Sequence, residues 1–262
     1  MTILSSSAAA AAFPPSLVHE IDDLDLADFT SIAAEFGNSR FGYVVTPNVD
    51  HLIRLHEDPA FRSHYEGADY ALMDSRFLAY FLRITRRVRL RVCTGADATL
   101  AILSRVVAPS DRVVLIGGSP EQARQLAAQY GLADLRHYAP TMGFIHDPSA
   151  VEECLRFIER ESPFRFCFLA IGSPQQEVIA KLLRTRGNAK GLALCVGASI
   201  NFITGRETRA PRWMQQLALE WLFRLLRNPR RLAGRYLVRG PRVFRHLRHA
   251  RVVPRRVAQS FG

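Results

Sequence analysis

No uninterrupted apolar run in the sequence reaches the roughly 18–20 residues that a membrane-crossing helix needs, so none is expected. There is no CxxC pair. The cysteines stand singly at Cys93, Cys154, Cys167 and Cys195, three of them in apolar runs. That spacing argues against a zinc site or a disulfide framework and for buried free thiols in a reducing compartment. There is no GxGxxG and no GKS/T, which removes the common dinucleotide fingerprint and the P-loop and makes NAD and ATP poor expectations. Histidines are scattered. The one DxD, Asp23-Leu24-Asp25, lies in EIDDLDLADF, where acids alternate with apolar residues ahead of a helix. It reads as a solvated helix start, and neither metal nor cofactor is expected. The opening MTILSSSAAAAAFPP lacks the basic and apolar regions of a signal peptide, so residues 1–18 are expected to form a flexible tail.

With 48% hydrophobic and 23% charged residues, the 262-residue chain can build an ordinary globular core. Its charge is unevenly placed. From Gly205 to Gly262 there are fifteen arginines, no lysine and two acids, Glu207 and Glu220, a local balance of +13 against a chain total of +11. Residues 1–204 are therefore close to neutral, at −2. A near-neutral body with a cationic end points to an anionic surface or substrate met at that end.

The body reads as alternating strands and helices. Strands are expected at 41–48, 69–74, 112–118, 164–172 and 191–198. Helices are expected at 50–68 (interrupted near Pro59), 75–84, 97–107, 120–131, 150–161 and 174–187. Strands this continuously apolar, alternating with amphipathic helices, indicate a mostly parallel Rossmann-like α/β sheet with helices on both faces. After Gly205 no strand is expected, and residues 213–227 read as one helix. The expected organisation is therefore a tail (1–18), a Rossmann-like domain (19–204) and an arginine-rich helical appendage (205–262).

In open parallel sheets ligands bind beyond the carboxyl ends of the strands. Two such ends share a design, Gly117-Gly118-Ser119-Pro120-Glu121-Gln122 and Gly172-Ser173-Pro174-Gln175-Gln176-Glu177. Each offers glycine for close backbone approach, then Ser, Pro and Gln in a capping-box order that exposes a helix N-terminus to phosphate. Each is equally a sound βα turn. Asp74, where YALMD meets the next helix, is either an N-cap or a general base. Thr46 and Asn48 flank Pro47 at a neighbouring strand end and serve either the turn or a ligand. In RVCTGAD, Arg91 is placed to grip a diphosphate or to sit on the surface, ahead of the Thr94-Gly95 turn and Asp97.

These motifs, taken together, resemble the WecG/TagA/CpsF family of bacterial glycosyltransferases. The resemblance rests on TPNVDHL, ADYALMDS, the glycine pair after VVLI, MGFI, IGSPQQE and VGASINFITGRETRAPRWMQQLALEWLFRLLRNPRRL, over roughly residues 40–237. It implies an inverting, metal-independent transferase that moves a sugar from a UDP-sugar onto a polyprenyl-diphosphate-linked sugar at the cytoplasmic membrane face, in cell-surface or exopolysaccharide assembly. Carried over by motif, Asp74 is the base, Thr46 and Asn48 line the pocket, and Gln176 beside Glu177 and Arg91 bind substrate. UDP is expected along Gly117, Gly118, Gly172 and Gln176, with Pro174, Thr94, Gly95, Gly197 and Asn201 nearby and Arg224 and Arg231 reaching in from the appendage. The sequence departs from the family pattern in three places. Asp74 is followed by Ser75-Arg76 rather than glycine, the Arg91–Gly95 segment is one residue longer, and Asn201 replaces an aspartate. The sugar is accordingly left open between N-acetylmannosamine-type and glucose-type donors, as is the oligomeric state.

The stretch 210–232 fits this setting. Met214, Leu217, Ala218, Trp221, Leu222 and Leu225 mark one helical face, and Leu219, Phe223 and Leu226 widen it. It reads either as a helix packed on the core or as an interfacial appendage whose Trp and Leu enter the headgroup layer while arginines meet anionic lipid. A peripheral protein on the inner face of the plasma membrane follows. The competing reading is a non-catalytic nucleotide- or nucleic-acid-binding protein gripping phosphates with the arginine tail. It rests on charge alone, and nucleic acid is not the expected partner.

Overall fold

The computed structural model describes residues 17–255. It begins with β1 (Leu17–Asp22), α1 (Leu26–Glu35) and β2 (Phe41–Val45). Next come α2 (Val49–Glu57), α3 (Pro59–Glu66), the short β3 (Tyr70–Ala71), α4 (Arg76–Arg86) and α5 (Gly95–Arg105). The alternating part continues through β4 (Arg112–Ile116), α6 (Pro120–Tyr130), β5 (Asp134–Tyr138), α7 (Pro148–Arg160), β6 (Phe166–Leu169), α8 (Gln175–Arg186) and β7 (Gly191–Cys195). After it lie α9 (Ser199–Ile203), α10 (Arg212–Gln216), α11 (Glu220–Arg227), α12 (Pro229–Ala233), a π-helical turn (Gly234–Arg239), α13 (Arg242–His249) and β8 (Ala250–Arg255).

Six strands make one parallel sheet in the order β3-β2-β7-β6-β4-β5. Side chains alternate across it. Val44, Leu115, Phe168 and Leu194 face a layer built from α1, α5, α6 and α9. Tyr43, Val45, Ile116, Leu169 and Cys195 face α7 and α8. Both faces are thus covered, as the continuous apolar strands require. All four cysteines are free and buried.

Beyond the β3 edge lies a third apolar cluster. Ile21 of β1, Ile53 and Leu55 of α2, and Leu78 and Leu82 of α4 pack there with Val243, Leu247 and Val252 from the end of the chain. The strand-free end expected after Gly205 is therefore incorrect. β8 pairs in parallel with β1, Asp22 opposite Arg255, and a bridge from Asp22 to Leu72 ties the pair to the main sheet. Asp22 is fully buried and accepts from Arg255 Nε at 2.6 Å and from the Ala71 amide at 2.7 Å. The expected single helix over 213–227 is also incorrect. It breaks into α10 and α11 at Ala218, which adopts a left-handed φ of 60°. Residues 1–16 of the expected tail lie outside the described residues. Among the described residues no helix is long and apolar enough to cross a membrane.

Candidate functional site

Because every strand of the main sheet runs the same way, all its carboxyl ends meet at one edge. Their order puts Asp74, just past β3, beside Asn48 after β2, then Gly197 after β7, Gly172 after β6 and Gly117 after β4. At the β3–β2 end this edge opens into a cavity of about 310 Å³. Asn48, Asp74 and Thr94 line its body side, and Arg209, Trp221 and Arg224 its far side.

Asp74 is not the cap of α4. Ser75 caps that helix, its Oγ accepting from the Leu78 amide at 3.1 Å. The Asp74 carboxylate instead turns to the start of α5, where its Oδ1 accepts from the Gly95 amide at 3.1 Å. Burial pushes its pKa up to about 6, against the pull of the Arg224 charge and the Gly95 amide. Asn48 caps α2, accepting from the Asp50 amide at 3.1 Å, and lines the cavity as well. Thr46 lies one step behind: it is buried and donates to the Cys195 carbonyl at 3.1 Å. A Cβ on Gly95 would come within 3.3 Å of the Thr46 methyl, so glycine lets α5 start close against β2.

Thr94 leads to residues that motif reading did not assign. Thr94 Oγ1 donates to Asp97 at 2.8 Å, and Asp97 in turn holds Arg209 at 2.7 Å and Arg76 at 3.4 Å. These contacts hold the Asp97 carboxyl below its usual range despite its burial. Arg76 also reaches Glu220 of α11 at 3.5 Å. The cavity lining therefore includes Asp74 and three guanidinium groups, Arg76, Arg209 and Arg224. Aromatic side chains line it too: Trp221 stands edge-on to Phe77 and Tyr236, with ring centres 6.4 and 6.1 Å away. The Asp74-Ser75-Arg76 departure marked Arg76 in the sequence. Arg209 and Glu220 lay inside a quoted motif, while Tyr236 and Phe244 carried no signal.

Arg91 is not brought to this cavity. Its backbone amide donates to Asp23 at 2.9 Å, and its guanidinium pairs with Asp25 at 3.1 Å and with Asp28. The acids that read as a solvated helix start are its seat. Asp25 and Asp28 also form the capping box of α1. The Arg231 side chain lies outside the described part of the structure.

The remaining candidates cluster further along the edge. Ser119 and Gln122 form the expected capping box on α6. Gln122 Nε2 also donates to Asn201 Oδ1 at 3.0 Å, tying Asn201 into the turn. The second expected capping box is absent. α8 starts at Gln175 after a cis Ser173–Pro174 peptide, with no side-chain cap. Gln176 accepts from the Gly197 amide at 2.9 Å and donates to Glu177 at 2.9 Å. Glu177 is sealed from solvent, and burial pushes its pKa up to about 7. Gly117 has φ 93°, and a Cβ there would meet the Ala170 carbonyl at 2.7 Å, so packing alone demands glycine. Gly172 has φ 80° and open space around its Cβ position, which leaves its backbone accessible to a ligand.

The described residues thus combine a raised-pKa carboxylate, guanidinium groups and aromatic rings in one cavity at the carboxyl edge of a parallel α/β sheet. Residues 16–257 match the model of the glycosyl transferase WecG/TagA/CpsF family, and the chain belongs to that family, making it a glycosyltransferase of cell-surface polymer synthesis.

Proposed function

We propose that this glycosyltransferase transfers a sugar, with inversion, from a UDP-sugar to a sugar carried on a polyprenyl diphosphate, and that Asp74 is its general base. In this reaction Asp74 takes the proton of the acceptor hydroxyl. The hydroxyl oxygen bonds to the anomeric carbon from the face opposite UDP, and the bond from that carbon to the diphosphate oxygen breaks. One displacement inverts the anomeric centre. Charge grows on the departing UDP, and Arg224, with Arg209 and Arg76, is placed to offset it without a metal. A base with pKa about 6 is ionised at neutral pH yet still basic enough to accept a proton as the bond forms. UDP would extend along the strand ends, over Gly172 and the Gln176–Gly197 turn.

The observation that carries this reading is the cavity lining, which combines Asp74 and arginines with the aromatic rings of Phe77, Trp221 and Tyr236. A diphosphate head joined to an isoprenoid tail has the matching combination. The same end of the chain exposes Trp213 of α10, Leu217 just after it, Leu226 of α11 and Leu237 and Val238 of the π-helical turn, all 58–71% exposed. With the arginines around them, they fit an amphipathic surface resting on anionic lipid at the cytoplasmic face of the membrane. The test is a panel of UDP-sugars offered with a short-chain polyprenyl-diphosphate-sugar acceptor. Release of UDP with an anomerically inverted product supports the reading. Failure of every UDP-sugar, with transfer from another class of donor, would contradict it.

A further inference from the structure

The membrane-facing character proposed above belongs to the appendage, where the arginines concentrate. The body carries a second exposed face with the same character. On α4, Tyr80 and Ile84 are 59% and 61% exposed, one helical turn apart. Arg83 stands between them, and Arg87 follows a turn later on the same stripe. Beyond the helix the chain continues through Val88 to exposed Arg89. Among the described residues no acid pairs with Arg83, Arg87 or Arg89, so their charge is uncompensated by the protein. The inner face of α4 is fully engaged, with Leu78 and Leu82 in the third cluster. Hence the outer stripe is not a core face that failed to pack.

This stripe is continuous with the appendage. Phe81 stands edge-on to Phe244 of α13, ring centres 4.8 Å apart, and Phe244 is itself 43% exposed. Arg86 donates to the Leu247 carbonyl, locking α4 to α13. The first turn of α4 supplies Arg76 and Phe77 to the cavity. α4, through Arg76 and Phe77, and the appendage, through Trp221, Tyr236 and Phe244, therefore both line the cavity that holds Asp74.

We propose that the outer stripe of α4, Tyr80, Arg83, Ile84 and Arg87, is a second membrane contact whose partner is an anionic lipid bilayer. Tyr80 and Ile84 enter the headgroup boundary, and the arginines meet lipid phosphates. This inference rests on the peripheral-membrane reading and sharpens it. An appendage contact alone leaves the body free to pivot. Contacts on both α4 and the appendage, which together line the cavity, fix its orientation at the bilayer surface, where a lipid-linked acceptor presents its diphosphate.

The experiment uses the full chain and vesicles of phosphatidylethanolamine and phosphatidylglycerol. Wild type is expected to sediment with them, and Y80S/I84S to need about tenfold more lipid. Because both positions are exposed, this variant keeps wild-type melting and transfer to a detergent-solubilised acceptor. Independently, an environment-sensitive fluorophore on I84C, the native cysteines being buried, shifts to the blue on anionic vesicles. If wild type sediments but Y80S/I84S binds equally well and the fluorophore does not shift, α4 is not a contact, while the membrane reading stands. If wild type does not bind these vesicles at all, the membrane reading fails and takes this proposal with it.

Discussion

Asp74 owes its raised pKa to burial, and Arg224 limits how far that rise goes. Replacing Arg224 by Gln removes the opposing charge, so the Asp74 pKa should climb above about 6. The acid limb of kcat/KM should then move to higher pH, with an activity loss of roughly tenfold or more at neutral pH; an unmoved limb would show that the charge does not reach Asp74. Glu177 bears on stability instead. Folding raises its pKa from an ordinary carboxyl value to about 7, so the folded state holds a proton that the unfolded chain releases. That contribution is full below about pH 4.3, is lost as pH rises toward 7, and stays lost above it, a cost of roughly 3 kcal/mol. Glu177→Gln should therefore raise the urea midpoint at pH 8 and remove the decline between about pH 4.3 and 7. Motif reading placed Asp74, Asn48, Thr94 and Arg224 in one cavity because each belongs to a short local pattern. It misplaced Arg91, whose partners Asp23, Asp25 and Asp28 lie more than sixty residues earlier. It passed over Arg209 for the same reason, since its partner Asp97 is distant in sequence.

Among the elements, the most revealing is the junction of α10 and α11. The apolar period runs unbroken through Leu217–Leu219, yet the chain turns at Ala218 to bring Glu220 to Arg76 and Trp221 to Phe77. A left-handed alanine costs about 1–2 kcal/mol. Glycine relieves most of this while losing some unfolded-state advantage, so Ala218→Gly should stabilise the protein by up to about 1 kcal/mol in thermal or urea unfolding. The β1–β8 pair is the other junction. Asp22→Ala leaves Arg255 without its carboxylate partner and the Ala71 amide without its acceptor, and should cost about 3–5 kcal/mol, read as a lowered urea midpoint. The central strands β2, β4, β6 and β7 were legible because burial on both faces makes them continuously apolar. β1, β5 and β8 were not. β5 is a sheet edge with the polar sequence DLRHY, and β8 carries Pro254, which an outer strand tolerates.

At the scale of the whole molecule, the charge balance was legible in sum and misleading in place. Acids elsewhere in residues 1–204 hide the arginines of α4 and the segment after it, so only the appendage stood out as cationic. In the fold α4 and the appendage both line one cavity. Binding to anionic vesicles should therefore weaken steeply with added salt, as screening shortens from about 10 Å at 0.1 M to about 3 Å at 1 M, leaving a residual apolar component. Salt-independent binding would argue against the arginines. The central claim, that Asp74 is the base of a sugar transfer, is tested most directly by the pH dependence of kcat/KM for wild type and Asp74→Asn with a UDP-sugar and a polyprenyl-diphosphate-sugar acceptor. The account predicts that wild-type activity falls about tenfold per pH unit below about pH 6, and that Asp74→Asn is slower by roughly 10²–10⁴ and lacks this limb. A variant within a few-fold of wild type, or one that keeps the same acid limb, would contradict it.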